Sequence, residues 1–151
     1  MASPIIRKGT QTDVPQLLNL IKELAAYENE PDAVTVTEEI LLNDGFGEKP
    51  AFEFLVAQKG ENVVGIALYY YQYSTWKGRS LYLEDVIVKE SERMQGIGSM
   101  LMNELISISK KEKVKRLDWQ VLDWNEPAIS FYKKYNTQFD NEWINCRLTF
   151  G

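Results

Sequence analysis

The chain has 151 residues, with 17 Lys and Arg against 22 Asp and Glu, no His and a single Cys. Without His there is no Ser-His-Asp triad and no His-containing metal site, and one Cys excludes an internal disulfide or a Cys cluster. Acid–base chemistry therefore falls to Glu, Asp, Tyr or Lys.

The length suits one domain over residues 1–151 with one core, and 44% apolar with 26% charged residues is ordinary for a soluble globular protein. A net charge of −5 is a poor match for nucleic acid, whose phosphates need a basic face, and suits a cation such as an amine. The longest apolar run, VVGIALYYY, is too short to span a bilayer. The start, MASPIIRKG, lacks the basic-then-apolar pattern of a signal peptide. These features predict a cytoplasmic protein with no nucleic-acid or membrane partner.

In chain order, Ile5 to Lys8 reads as a first strand. A helix follows from Asp13, with Leu17, Leu18, Ile21, Leu24 and Ala25 at helical spacing and Pro15 in the first turn. TEEILLND is a shorter helix with Thr37 as its N-cap, and DGFGEKP breaks the chain. FEFLVAQ and VVGIALYYYQY, joined by a GEN turn, read as a hairpin. TWKGR turns into a fourth strand, SLYLEDVIV. SMLMNELISISKK is a helix with Ile97, Leu101, Leu105 and Ile108 on one face, and RLDWQVL is a fifth strand. NEPAISFYKKY is a helix with Ala128, Phe131, Tyr132 and Tyr135 on one face, closed by Asn136. WINCRLTF ends the chain as a last strand, with Cys146 a small buried hydrophobe. This order, β-α-α-β-β-β-α-β-α-β, predicts an α/β fold with a mixed sheet and helices covering its faces.

ERMQGIGSML joins a strand to a helix through two glycines. A helix start carries about four unpaired N–H groups and partial positive charge, and glycine lets an anion approach the backbone. The segment is neither a Walker loop, since no GK[ST] follows, nor a dinucleotide fingerprint, since Leu101 stands where the third glycine belongs. From the residues alone it is either a phosphate cradle or a tight structural turn.

Arg93-x-x-Gly96-x-Gly98 between a strand and a helix resembles the acyl-CoA pyrophosphate loop of the GNAT acetyltransferases. LIKELAAYE, DGFGEKP, YSTWKGRSLYLEDVIV, RMQGIGS and LDWNEPAISFYKK run in the order found in the spermidine/spermine acetyltransferase group, and YSTWKGR with LDWN is most similar to its thialysine acetyltransferase branch. The polyamine branch carries an Asp two residues before the Trp of that turn, where this chain has Ser74.

The resemblance implies a GNAT fold: a mostly antiparallel mixed sheet, a splayed βαβ coenzyme site and helices on both faces. It implies acetyl-CoA as cosubstrate, no metal, direct transfer to a primary amine of a small cationic acceptor, and a homodimer. Gln95, Gly96, Ile97, Gly98 and Ser99 would offer N–H groups to the pyrophosphate, with Met94 flanking them. Arg93 either adds charge there or is solvated. Val86, Ile87 and Val88 read as core by side chain, and the resemblance gives their backbone to the pantetheine arm and the thioester carbonyl. Asn125 caps the helix beyond WNEPA and reaches the coenzyme, and Glu126, Pro127 and Ala128 line the same wall. Tyr132, which the residues alone read as core, matches the proton donor to the departing thiolate.

Two carboxylates, Glu84 and Asp85, interrupt an apolar strand, where successive side chains are expected on opposite faces. The resemblance gives Glu84 to the substrate amine, as its holder and proton acceptor. Asp85 is its neighbour in that role, and for both carboxylates the other reading is a structural ion pair with Lys or Arg. Tyr27 and Glu28 either line the amine site or form a solvated helix end, Trp76 is a further amine-site candidate, and Trp119 and Gln120 touch substrate or, for Trp119, fill core. A peptide acetyltransferase and a non-catalytic acyl-CoA-binding module are the rival functions on the same fold.

Overall fold

In the computed structural model, which describes residues 3–151, four strands form an antiparallel ribbon in spatial order β1-β2-β3-β4. They are β1 (Ile5–Lys8), β2 (Glu53–Lys59), β3 (Asn62–Ser74) and β4 (Gly78–Val88), and β5 (Leu117–Asp118) adds a parallel strand beside β4. Met1 and Ala2, the start of the MASPIIRKG stretch, lie outside the described residues. The chain packs as two compact units, Met1–Trp119 and Gln120–Gly151.

In the first unit α1 (Val14–Tyr27) and α2 (Glu38–Phe46) cover one face of the sheet. Val14, Leu17, Leu18, Leu20 and Leu41 pack there against Phe54, Val56, Ile66, Leu68 and Ile87. The other face receives α3 (Ile97–Lys111): a Cβ at Gly65, one residue before Ile66, would lie 3.2 Å from Ile97 and 3.3 Å from Leu101. Glycine at that position therefore lets α3 sit close to β3. Thr37 caps α2 by accepting from the Ile40 N–H at 3.2 Å.

Where the structure departs from the sequence reading, the causes are local. The helix of TEEILLND runs on to Phe46 instead of stopping at Asp44, and its Gly45 is a close approach: a Cβ there would sit 2.6 Å from the Phe52 ring. The break falls at Gly47. RLDWQVL shrinks to Leu117–Asp118, since only Leu81 and Tyr82 of β4 pair with it, and Trp119 and Gln120 lie past the strand. WINCRLTF has strand-forming residues but no ladder partner, so it is not a strand, and Cys146 is exposed instead of buried. Among the described residues no helix is long and apolar enough to cross a membrane.

The second unit is built on α4 (Glu126–Lys133). Asn125 caps it by accepting from the Ala128 N–H at 3.3 Å, Pro127 stands in the first turn, and Asn136 leaves in the left-handed region at φ 56°. Phe131 meets Tyr132 and Tyr135 edge-on at 5.3 and 5.6 Å.

The entry to α1 rests on a buried carboxylate. Asp13 takes both guanidinium nitrogens of Arg7 at 2.8 Å and the Thr10 N–H at 2.7 Å. The Arg7 hydrogen bond holds its carboxyl below the usual range, so this stabilisation is present above about pH 4 and is lost as the pH falls further. Arg7→Ala leaves the carboxylate unpaired and is expected to cost about 2–3 kcal/mol at pH 7 in urea denaturation, with a smaller loss at pH 3. An equal loss at both pH values would show that the charge pair is not the cause.

Candidate active site

β4 carries one more residue than β3 opposite it. Tyr69 pairs with Leu83 and Leu68 pairs with Asp85, so Glu84 is the extra, unpaired residue of a β-bulge. Opposed residues of an antiparallel pair share a face. Asp85 therefore shares the α1–α2 face with Leu68, a member of that core. Glu84 lies on the same face: the Tyr70 hydroxyl donates to its Oε1 at 3.0 Å, and the Tyr70 ring stacks on Tyr82 at 5.3 Å. The alternation expected for the two carboxylates is thus overturned. The extra residue turns both to one side.

A third carboxylate joins them from α1. Glu28 caps the C-terminus of that helix and is half-buried, and burial raises its pKa. Burial, with Glu84 and Glu28 alongside, pushes the Asp85 carboxyl up to about 7. Tyr70 and Tyr82 are held protonated by burial and by the same carboxylates, so Tyr70 faces Glu84 as a donor. Sequence reasoning missed Tyr70. In the run YYYQY nothing distinguishes it from its neighbours until β3 and β4 are paired.

Above the bulge, Ile87 is buried in the α1–α2 core, while Val86 and Val88 are half-buried and pair with Ala67 and Gly65 on the α3 face. The parallel ladder to β5 is two pairs long and stops at Tyr82, so among the described residues Leu83 to Val88 have no ladder partner on that side.

The chain then turns through Glu90–Glu92 into the glycine loop. Lys59, at the end of β2, pins the turn with an ion pair to Glu92 at 2.8 Å and a bond to the Gln95 side chain at 3.2 Å. Met94 and Gly96 take positive φ, 66° and 80°. Gly96 needs its glycine for that angle, since a Cβ there would meet nothing within 4 Å. The Met100 N–H makes a helical bond to the Gly96 carbonyl at 3.0 Å, so the N–H groups of Ile97, Gly98 and Ser99 precede that turn of α3. With Gln95 and Gly96 exposed ahead of them, this start of α3 fits a pyrophosphate. Arg93 folds back instead: its Nε donates to the Val88 carbonyl at 3.2 Å and its guanidinium lies 5.3 Å from the Tyr27 ring. That contact ties the end of α1 to the glycine loop.

The first unit thus brings Tyr27, Glu28, Glu84 and Asp85 into one neighbourhood. It does not bring Trp76 there. Trp76 is 83% exposed in the β3–β4 turn, and Glu84 lies six residues along β4 from Gly78, about 20 Å. Trp119 is half-buried just past β5. In the second unit Asn125 and Tyr132 are buried on α4, Glu126 and Pro127 are exposed in its first turn and Ala128 is half-buried. Gln120 donates to the Asn145 side chain at 3.0 Å. Among the described residues no group of three His, Cys, Asp or Glu could hold a metal.

The raised Asp85 pKa has a consequence for stability. The folded chain binds a proton there that the unfolded chain releases near pH 4, so stability falls as the pH rises from about 4 to about 7. Asp85→Asn is expected to stabilise the free protein by about 1–2 kcal/mol at pH 8 and by much less at pH 5, read by urea denaturation. An equal gain at both pH values would rule out the titration.

The Acetyltransferase (GNAT) family model matches residues 15–136. Thialysine N-epsilon-acetyltransferase of Bos taurus is 43% identical over 146 residues, covering 91% of this chain and 86% of that protein. Spermidine/spermine N(1)-acetyltransferase-like protein 1 of Homo sapiens is 39% identical over 84% of this chain and 19% of its own length. Among solved structures, an aminoglycoside acetyltransferase from an uncultured soil metagenomic sample superposes with a TM-score of 0.80 at 18% identity, over 98% of this chain and 97% of that one, a likeness of fold. With its strand–glycine loop–helix unit, its mixed sheet and this family match across most of its length, the chain belongs to the GNAT acetyltransferase family.

Proposed function

We propose that the protein transfers the acetyl group of acetyl-CoA directly to a primary amine of a small cationic acceptor, a thialysine- or lysine-like amino acid or a diamine. The observation that carries this reading is the bulge at Glu84, which turns two carboxylates to one face beside Glu28. The thialysine acetyltransferase relatives support the choice of acceptor. Ser74 supports it too: its hydroxyl is engaged by the Trp76 and Lys77 N–H groups at 3.2 and 3.1 Å, and it offers no carboxylate to a long polyamine.

In this reading Glu84 and Asp85 hold the ammonium and take its proton, directly or through water. A carboxyl titrating near 7 suits Asp85 to that exchange. The neutral nitrogen then attacks the thioester carbonyl. N–H groups of Val86 to Val88 on the β5-side edge of β4, which carries no ladder there among the described residues, steady the developing oxyanion. The carbon–sulfur bond breaks, Tyr132 gives its proton to the leaving thiolate, and the proton that the amide nitrogen loses restores the tyrosine. The start of α3, from Gln95 to Ser99, holds the pyrophosphate, with Met94 at its flank, while Arg93, folded back onto Val88 and Tyr27, braces the loop. Asn125 to Ala128 form a further wall of the coenzyme site. No covalent enzyme intermediate is needed.

We further read the protein as one functional domain, cytoplasmic and homodimeric. Trp143, Ile144, Leu148 and Phe150 are each more than 70% exposed, apolar surface that a second copy would cover. Trp76, remote from Glu84 in its own chain, then serves the amine site of the other copy.

The test is release of coenzyme A thiol from acetyl-CoA with thialysine, lysine, putrescine and spermidine as separate acceptors. Strong turnover on thialysine and little on spermidine is expected. Tyr132→Phe should lower kcat by about 100-fold with the acetyl-CoA KM little changed. Coenzyme binding without turnover on any amine would refute the reading in favour of a peptide acetyltransferase or a binding module.

A further inference from the structure

Glu84 is an exposed bulge residue with no ladder partner on β3. A carboxylate on a long, solvated side chain is poorly oriented by itself, and aiming it costs rotamer freedom. The neighbouring strand supplies a holder. Glu84 follows Tyr82 by two residues on β4, and Tyr82 stands opposite Tyr70, so Glu84 is diagonal to Tyr70 on the α1–α2 face. Long side chains reach across that diagonal. The Tyr70 hydroxyl does so, donating to Glu84 Oε1 at 3.0 Å.

Tyr70 is itself fixed. It is half-buried, and its ring stacks on Tyr82 at 5.3 Å with 29° between the planes. Burial, with Glu84 alongside, raises its pKa, so the hydroxyl keeps its proton and remains a donor. Its neighbours in the YYYQY run cannot replace it. Tyr69 and Tyr71 lie on the α3 face, and the Tyr71 hydroxyl donates to Glu112.

Resting on the reading of Glu84 as the holder of the reacting amine, we propose that Tyr70 is a positioning residue for acetyl transfer: its hydroxyl, donated to Oε1, fixes the Glu84 carboxylate so that Oε2 meets the incoming ammonium. Tyr70 touches no reacting atom in this role and acts through Glu84. The nitrogen must come within about 3–3.5 Å of the thioester carbon on a defined line, and a displacement of about 1 Å costs up to about 100-fold in rate. A carboxylate aimed from β3 places the nitrogen before it attacks.

Tyr70→Phe keeps the ring and its stack on Tyr82 and removes only the donor. With thialysine as acceptor it is expected to lower kcat/KM about tenfold, through both a lower kcat and a higher amine KM, while the acetyl-CoA KM stays unchanged. A role in packing alone would cost the same whatever stands at position 84, so the deciding measurement is a double-mutant cycle with Glu84→Ala. In the Glu84→Ala protein, Tyr70→Phe should change turnover less than twofold. Glu84→Asp keeps the charge but draws the carboxylate back from the hydroxyl, and there too Tyr70→Phe should have little effect. Urea denaturation of each variant without substrate checks that it is folded. If Tyr70→Phe is as active as wild type, or costs tenfold in all three backgrounds, the positioning role is overturned and the reading of Glu84 stands. If Glu84→Ala is as active as wild type, the reading of Glu84 falls and the positioning role falls with it.

Discussion

At the bulge in β4, Glu84 has no partner on β3, and Leu83 and Asp85 take up the pairing on either side of it. A regular ladder would send one of the two carboxylates toward α1 and the other toward α3. The extra residue cancels that alternation. It puts both acids on the α1–α2 face and keeps Leu83 buried on the other. Concentrating like charge in a partly buried place is costly, and the cost appears as the raised Asp85 carboxyl. A bound ammonium removes that cost. The geometry of one strand is therefore tied to the charge of the substrate.

The same strand sets the coenzyme end of the site. β5 pairs with only two residues of β4, so among the described residues Leu83 to Val88 have no ladder partner on that side before the chain enters the glycine loop. The loop is fixed from two directions. Lys59 holds Glu92 and Gln95 from β2, and Arg93 stacks against Tyr27 from α1. Tyr27 and Glu28 are adjacent at the end of α1, so one helix terminus touches the loop through one residue and raises the pKa of Asp85 through the next. A shift of α1 would disturb both.

Much of this was legible in the chain. The apolar spacing gave α1, α3 and α4, the Thr37 and Asn125 caps started α2 and α4, and Gly96 was marked for its loop because a strand preceded it and a helix followed. Other features were not legible. The bulge depends on how β3 and β4 register, which neither strand encodes alone. Tyr70 acquires meaning only once it stands beside Tyr82 and Glu84. The WINCRLTF stretch has the residues of a strand, but a strand needs an edge to pair with, and Cys146 is exposed in consequence.

By itself the sequence determined the helices, the first four strands, the family and the chemical types available for catalysis, because helix periodicity, capping and the strand–glycine–helix join are local properties of the chain. Tertiary structure decided which groups meet: two acids on one face instead of two, Arg93 folded back onto Tyr27, Trp76 far from Glu84, and Tyr70 joined to Glu84. Those outcomes depend on register and on contacts between residues distant in sequence, and neither is written in any one segment.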